Sequence, residues 1–339
     1  MTDLSTSLKT GNWNLLGHTW AVDMLRQHVA NGSIRHAYLF TGPPGLGRRT
    51  LALRLAQALN CTQPPAPGEA CGTCRDCKQI AAMQHPDLAV VQAESEGGTL
   101  KVDQVREVQR SLSLKPYQAR YRVALFLRFQ EANPNAANAL LKTLEEAPPH
   151  VILLLTADNA EQLLPTIVSR CEILRLRPLP VTEVEAHLSA QGADADTARL
   201  LAHLSGGRPG AALSLLADPS ALDFRSGRLD DLLSLLPAPR ADRFAYAEKL
   251  AKDKDSMRQT LLTWQSFWRD VMLTASGASA TLTNIDHETA IQKLAGRFDL
   301  PQARRLVVEI EKAVERLDAN VNPRLLGEVL LLDWPKINL

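Results

Sequence analysis

Apolar positions recur at helical spacing from Trp13 to Asn31, with Leu16, Val22, Leu25 and Val29 as the expected buried face. A short unbroken run, Ala37-Tyr38-Leu39-Phe40-Thr41, follows and predicts a buried strand. Gly42-Pro43-Pro44-Gly45-Leu46-Gly47 comes next, and then a helical pattern from Thr50 to Leu59. Strand, glycine-rich turn and helix in that order form the entry to a phosphate-binding loop domain. Further strands are predicted at Leu88–Val91, Arg122–Leu127 and Val151–Thr156, with a last short one at Glu172–Leu176. Helical patterns separate them at Asp103–Leu112 and Asn135–Glu145. The alternation implies a mostly parallel sheet covered on both faces.

The pattern changes after Pro178 and Pro180. Val181 to Ala217 reads as a few short helices, interrupted by Gly206-Gly207-Arg208-Pro209-Gly210, and has the size of a small helical lid. Beyond Asp218-Pro219 there is no clear strand. Leu261, Trp264, Trp268 and Val271 recur at helical spacing, as do Leu306, Ile310, Ala313 and Leu317, which predicts an all-helical third domain with these stripes as its core. The expected boundaries are 1–178, 179–218 and 219–339. At roughly 150 residues per domain, a chain of 339 fits two or three domains. No stretch approaches the ~20 consecutive apolar residues of a membrane span. Met1 to Gly11 is polar and lacks the apolar run of a secretory signal, so a cytosolic protein is expected. With 38 basic and 37 acidic residues the net charge is +1, not the footprint of a protein that grips nucleic acid alone.

The glycine loop lacks the residues that make such loops work. A functional loop reads G-x-x-x-x-G-K-[ST]: backbone N–H groups cradle phosphates, the lysine reaches the β/γ-phosphates, and the hydroxyl holds magnesium. Gly42, Gly45 and Gly47 keep the loop, but Arg48 stands at the lysine position and Arg49 at the hydroxyl position, with Thr50 one residue too late. A guanidinium cannot coordinate a cation. The second half of such a site is a carboxylate pair at the end of the next buried strand, where this chain carries Leu127 and Arg128; Glu131, the nearest carboxylate, lies beyond the strand end. Both losses argue against Mg-ATP held for hydrolysis. The alternative is an active ATPase that uses Arg48 and Glu131.

Four of five cysteines cluster as Cys61-x9-Cys71-x2-Cys74-x2-Cys77 directly after the loop helix. Four thiolates close a tetrahedral zinc site, the mark of a structural metal. Iron–sulfur ligation and redox chemistry use similar spacings and stay open. His85 lies nearby, but a fifth ligand is not needed and a hydrogen-bonded imidazole is expected.

The run Arg35-His36-Ala37-Tyr38-Leu39-Phe40-Thr41-Gly42-Pro43-Pro44-Gly45, the cysteine insertion after the loop helix, Asn138-Ala139-Leu140-Leu141-Lys142-Thr143-Leu144-Glu145-Glu146, Ser169-Arg170-Cys171 and Asn322-Pro323-Arg324-Leu325-Leu326 resemble subunits of the bacterial DNA polymerase III clamp loader, members of the AAA+ superfamily. Within that family the motor subunits gamma and tau keep an intact lysine loop and an acidic pair. The eroded positions Arg48, Arg49, Leu127 and Arg128 resemble the delta-prime class instead. The alternative within the family is a gamma/tau-like motor that hydrolyses ATP.

The resemblance implies an α/β AAA+ domain with a zinc insertion, then a lid and a helical collar. It implies a hetero-pentameric spiral with gamma/tau motors and a delta subunit, which opens a sliding clamp and places it on primed DNA. It also implies that Arg170 projects into the ATP site of the adjacent motor as an arginine finger, the kind of group that is worth about 10³–10⁵ in rate elsewhere. Cys171 is expected to be a small buried residue. AAA+ lids often carry a sensor arginine near their glycine-rich turn; here Gly210 falls at that position and Arg208 is two residues away, so none is assigned. Thr156 matches the polar residue that senses γ-phosphate in active relatives.

Overall fold

The structure is a computed structural model that describes residues 13–95 and 97–337. The polar start at residues 1–11 lies outside the described residues. The chain divides into two compact units: one runs to Pro180 and takes in Arg208–Ala211, and the other holds Val181–Gly207 and Ala212 onward.

In the first unit, α1 (Thr19–Ala30), β1 (Ala37–Thr41), α2 (Arg48–Asn60), α3 (Arg75–Ala81), β2 (Leu88–Val91) and α4 (Val102–Leu112) come first. They are followed by β3 (Arg122–Phe126), α5 (Pro134–Glu145), β4 (Val151–Ala157), α6 (Pro165–Val168) and β5 (Glu172–Arg175). The five strands form one sheet in the order β2-β3-β4-β1-β5, and every pairing is parallel. Successive side chains on a strand point to opposite faces. Tyr38, Phe40, Leu125, Ile152 and Leu154 therefore pack with the buried residues of α1 and α2. Leu39, Ala124, Phe126, Leu153 and Leu155 pack with those of α4 and α5 on the other face. Burial on both faces is why these strands read as continuous apolar runs rather than alternating ones.

Local chemistry moved several boundaries. The first helix starts at Thr19 rather than near Trp13, because Gly17 and His18 both adopt positive φ and break the repeat. Trp13 and Leu15 are nonetheless buried, and the Trp13 indole donates to Gly68 O at 3.2 Å. Strand β3 ends at Phe126, one residue early, because Arg128 is left-handed at φ +50° and its N–H turns to Thr156 Oγ1 at 2.9 Å. Helix α5 starts with Asn133 accepting from Ala136 N and Pro134 at its first position, a strong start signal. Helix α3 was not anticipated at all.

The second unit holds α7 (Val181–Ala190), α8 (Ala195–Ser205), most of α9 (Pro209–Ala217), α10 (Pro219–Leu235), α11 (Arg240–Leu250), α12 (Lys254–Ala275), α13 (Glu288–Ala295), α14 (Leu300–Asp318) and α15 (Pro323–Leu332). The two predicted stripes pack α12 against α14: Leu261, Trp264, Trp268 and Val271 meet the side that carries Leu306, Ile310, Ala313 and Leu317. Trp334 joins the same core, with its ring centroid 4.9 Å from that of Trp264. Arg243 is buried beside it and donates to five carbonyls, those of Leu235, Leu236, Leu331, Trp334 and Pro335. One guanidinium thus satisfies the carboxyl ends of α10 and α15, whose last carbonyls have no partner within their own helices. Among the described residues no helix is long and apolar enough to cross a membrane.

Candidate functional site

The glycine loop joins the carboxyl end of β1 to α2, at the edge of a parallel sheet where α/β folds hold phosphates. Its glycines are required by geometry. Gly42 is at φ +140°, and a Cβ there would lie 2.6 Å from Leu176 O. Gly45 is at φ +86°, and a Cβ there would lie 2.9 Å from Ala211 N. Gly47, at φ +89°, is the residue from which α2 starts. The backbone of Arg208–Ala211 lies directly against this loop: Gly210 N donates to Gly45 O at 2.8 Å. On the other side the buried His18 ring sets Nε2 3.2 Å from Leu46 O, so that nitrogen carries the proton; burial lowers the His18 pKa and favours the neutral ring.

Arg48 does not occupy the lysine position as a mobile cation. It is 8 % exposed, and Nη1 sits 2.7 Å from Asp158 Oδ1, just past the end of β4. Arg49 and Thr50 are exposed on the first turn of α2. Across the sheet edge Leu127 is buried, where a metal-holding carboxylate is required. Arg128 pairs with Glu131 at 2.8 Å, and the same Glu131 oxygen accepts from Gly97 N at 2.9 Å. Thr156 Oγ1 accepts from Arg128 N and reaches Phe126 O at 3.4 Å, so its hydroxyl ties β3 to β4. The site therefore carries Arg48, Arg49 and Arg128, and the carboxylates of Asp158 and Glu131 are each ion-paired to one of them. Asp158 was missed in the sequence because only the β1–β4 pairing brings it to Arg48.

The cysteines converge. The Sγ atoms of Cys61, Cys71, Cys74 and Cys77 all lie within 4.8 Å of one another, and Cys71 and Cys77 are 4.0 Å apart. A tetrahedral zinc with Zn–S near 2.3 Å places sulfurs about 3.8 Å apart, so the cluster fits that ion. Backbone amides already point at the sulfurs: Cys71 N to Cys61 Sγ at 3.3 Å, Cys74 N to Cys71 Sγ at 3.3 Å, and Cys77 N to Cys74 Sγ at 3.4 Å. The amides of Cys74 and Thr73 pull the Cys71 thiol down to about 6, while burial pushes Cys77 up. A bound dication would take all four as thiolates. Cys61 ends α2 and Cys74 caps α3, so two helix termini deliver the set. Gln57 Nε2 donates to Cys77 O at 2.7 Å and fastens the knuckle to α2. His85 is no ligand: Asp76 holds its Nε2 at 3.3 Å and Asp87 N donates to its Nδ1 at 3.0 Å.

Arg170 follows the single turn of α6 and precedes β5, with 35 % of its side chain exposed. Nη1 donates to Thr166 O at 2.8 Å, and Nη2 lies 2.6 Å from Glu145 Oε1. Burial pushes the neighbouring Cys171 thiol up to about 12, which keeps it protonated and unreactive.

Residues 17–180 match the family described as DNA polymerase III, delta subunit, and residues 221–336 match its companion, DNA polymerase III, delta subunit, C terminal. A Pseudomonas aeruginosa protein named DNA polymerase III subunit delta' is 32% identical over 94% of this chain and 98% of its own length. A Bacillus subtilis protein of the same name is 28% identical over 91% of this chain and 93% of its own. A Mycobacterium bovis protein named DNA polymerase III subunit gamma/tau is 37% identical, but over only 55% of this chain and 33% of its own length. The similarity to delta' proteins runs through both units, whereas the similarity to gamma/tau stops partway, and the chain belongs to the delta' family of DNA polymerase III.

Proposed function

We propose that this chain is a noncatalytic subunit of the DNA polymerase III clamp loader, which supplies an arginine in trans to a neighbouring gamma/tau ATP site. The observation that carries the reading is the pairing of an eroded loop with a partly exposed arginine. Arg49 and Leu127 stand where magnesium needs a hydroxyl and a carboxylate, and Arg48 is ion-paired to Asp158. Arg170 meanwhile stands at the surface with guanidinium donors to spare. A guanidinium brought from a neighbour stabilises charge that develops on the γ-phosphate. The intrinsic alternative, with Glu131 as the catalytic carboxylate, is disfavoured by its bonds to Arg128 and Gly97.

Family membership and the convergence of the four cysteines support the other parts of the reading. Cys61, Cys71, Cys74 and Cys77 hold a structural zinc. Residues 1–178 form the AAA+ domain, 179–218 the lid and 219–339 the oligomerising collar. The partners are gamma/tau, delta, the sliding clamp and primed DNA, in the cytoplasm at the replisome. No base readout is involved, because contacts to phosphates alone position such an assembly. The test is reconstitution with gamma/tau and delta. Arg170→Ala leaves assembly by size-exclusion chromatography intact but cuts DNA- and clamp-stimulated ATP turnover at the adjoining site. An unchanged rate refutes the trans role.

A further inference from the structure

Arg170 is held at two points by its own chain. Thr166 O fixes Nη1 from α6, and Glu145, 25 residues earlier at the end of α5, fixes Nη2. Both anchors sit on helices that pack against the first unit's core. Helix α5 is capped by Asn133, and it buries Leu140 and Leu144 against the sheet. Helix α6 packs on α5, with Ile167 fully buried. The pair itself is surface-exposed, with 35 % and 49 % of the two side chains accessible, so it adds little to stability. Its effect is on orientation. An arginine has many rotamers and five N–H donors in one plane. Two anchors fix that plane and leave three of the five donors without a bonded partner among the described residues.

We propose that Glu145 is a positioning residue for the arginine finger: it holds the Arg170 guanidinium in one orientation, so that the remaining donors meet the γ-phosphate oxygens of the neighbour's ATP. This rests on the trans-arginine reading above. An arginine held in advance loses less freedom on engaging the transition state than a mobile one. Lys142, one turn earlier on α5, cannot substitute for Glu145, since it carries the same charge as the guanidinium.

The test uses the reconstituted complex and steady-state ATP hydrolysis stimulated by DNA and clamp. Glu145→Ala is expected to lower kcat about 10-fold with KM for ATP unchanged, because misplacement of a catalytic group is felt in the transition state. Glu145→Gln keeps an acceptor oxygen and is expected to retain most of the rate. The double variant Arg170→Ala/Glu145→Ala is expected to be no slower than Arg170→Ala alone. Glu145→Ser, also too short to reach the guanidinium, repeats the comparison should the alanine variant fail to assemble. Full activity of Glu145→Ala beside a slow Arg170→Ala overturns the positioning role and leaves the trans arginine standing. A raised KM, or further slowing in the Arg170→Ala background, overturns it as well. Full activity of Arg170→Ala instead overturns the reading on which it rests.

Discussion

At the scale of single residues, buried charges hold backbone in place. Asp87 is 1 % exposed; its carboxylate accepts from Tyr117 N, Gln118 N and Ala119 N, with Arg122 3.9 Å away. Burial acts to raise its pKa, but the three amides and the arginine outweigh it and hold the carboxyl below its ordinary value. A depressed folded pKa gives stability that is fully present above the unfolded value, near 3.9, and is lost as pH falls through the folded one. Asp87→Asn is therefore expected to cost about 1–3 kcal/mol at pH 7 and to flatten the loss of stability below about pH 4. Urea titrations at pH 7 and pH 3 check both expectations. Arg243 shows the converse, a cation among five carbonyls with no carboxylate bonded to it among the described residues. A lysine has three donors at one point and cannot reproduce that fork. Arg243→Lys and Arg243→Met are each expected to destabilise the helical unit by several kcal/mol, since buried carbonyls are left unpaired, and calorimetry reads the loss. Neither role was legible in the sequence, because backbone amides and carbonyls recruited from distant segments leave no side-chain signature.

At the scale of elements, legibility followed periodicity. The strands declared themselves because a sheet covered on both faces demands unbroken apolar runs, as in Val151–Ala157. The core helices α12 and α14 declared themselves through stripes three and four residues apart. Helix α3 did not: it has seven residues, begins at a cysteine cap and buries only Asp76, Cys77 and Ile80, so ligand spacing masked helical spacing. The start of α1 was also misplaced, because a left-handed His18 leaves no mark in an apolar pattern. The knuckle makes its own prediction. One zinc per chain is expected by metal analysis, and Cys74→Ser is expected to release it. Because Cys74 caps α3, the amides of Arg75–Ala81 should then exchange faster with solvent while those of β1 and β4 stay protected. Iron, or no metal, in the purified chain would refute the zinc assignment.

At the scale of the whole molecule, a parallel sheet and its glycine loop carry arginines and a leucine where a working phosphate loop needs lysine, hydroxyl and carboxylate. The loop glycines persist because the backbone needs them: positive φ and close approach to Leu176 and Ala211 leave no room for a side chain. That need is separate from phosphate binding and holds with an arginine at position 48. The substitutions at Arg48, Arg49, Leu127 and Arg128 were legible because they are residue identities at fixed offsets from the glycine loop and the strand end. The neutralisation of Arg48 by Asp158 and of Glu131 by Arg128 was not, since it depends on strand order and a left-handed turn. The decisive experiment is ATP hydrolysis by the purified chain alone with saturating Mg²⁺. Turnover no higher than background is expected; robust turnover that Gly47→Pro abolishes would overturn the noncatalytic reading.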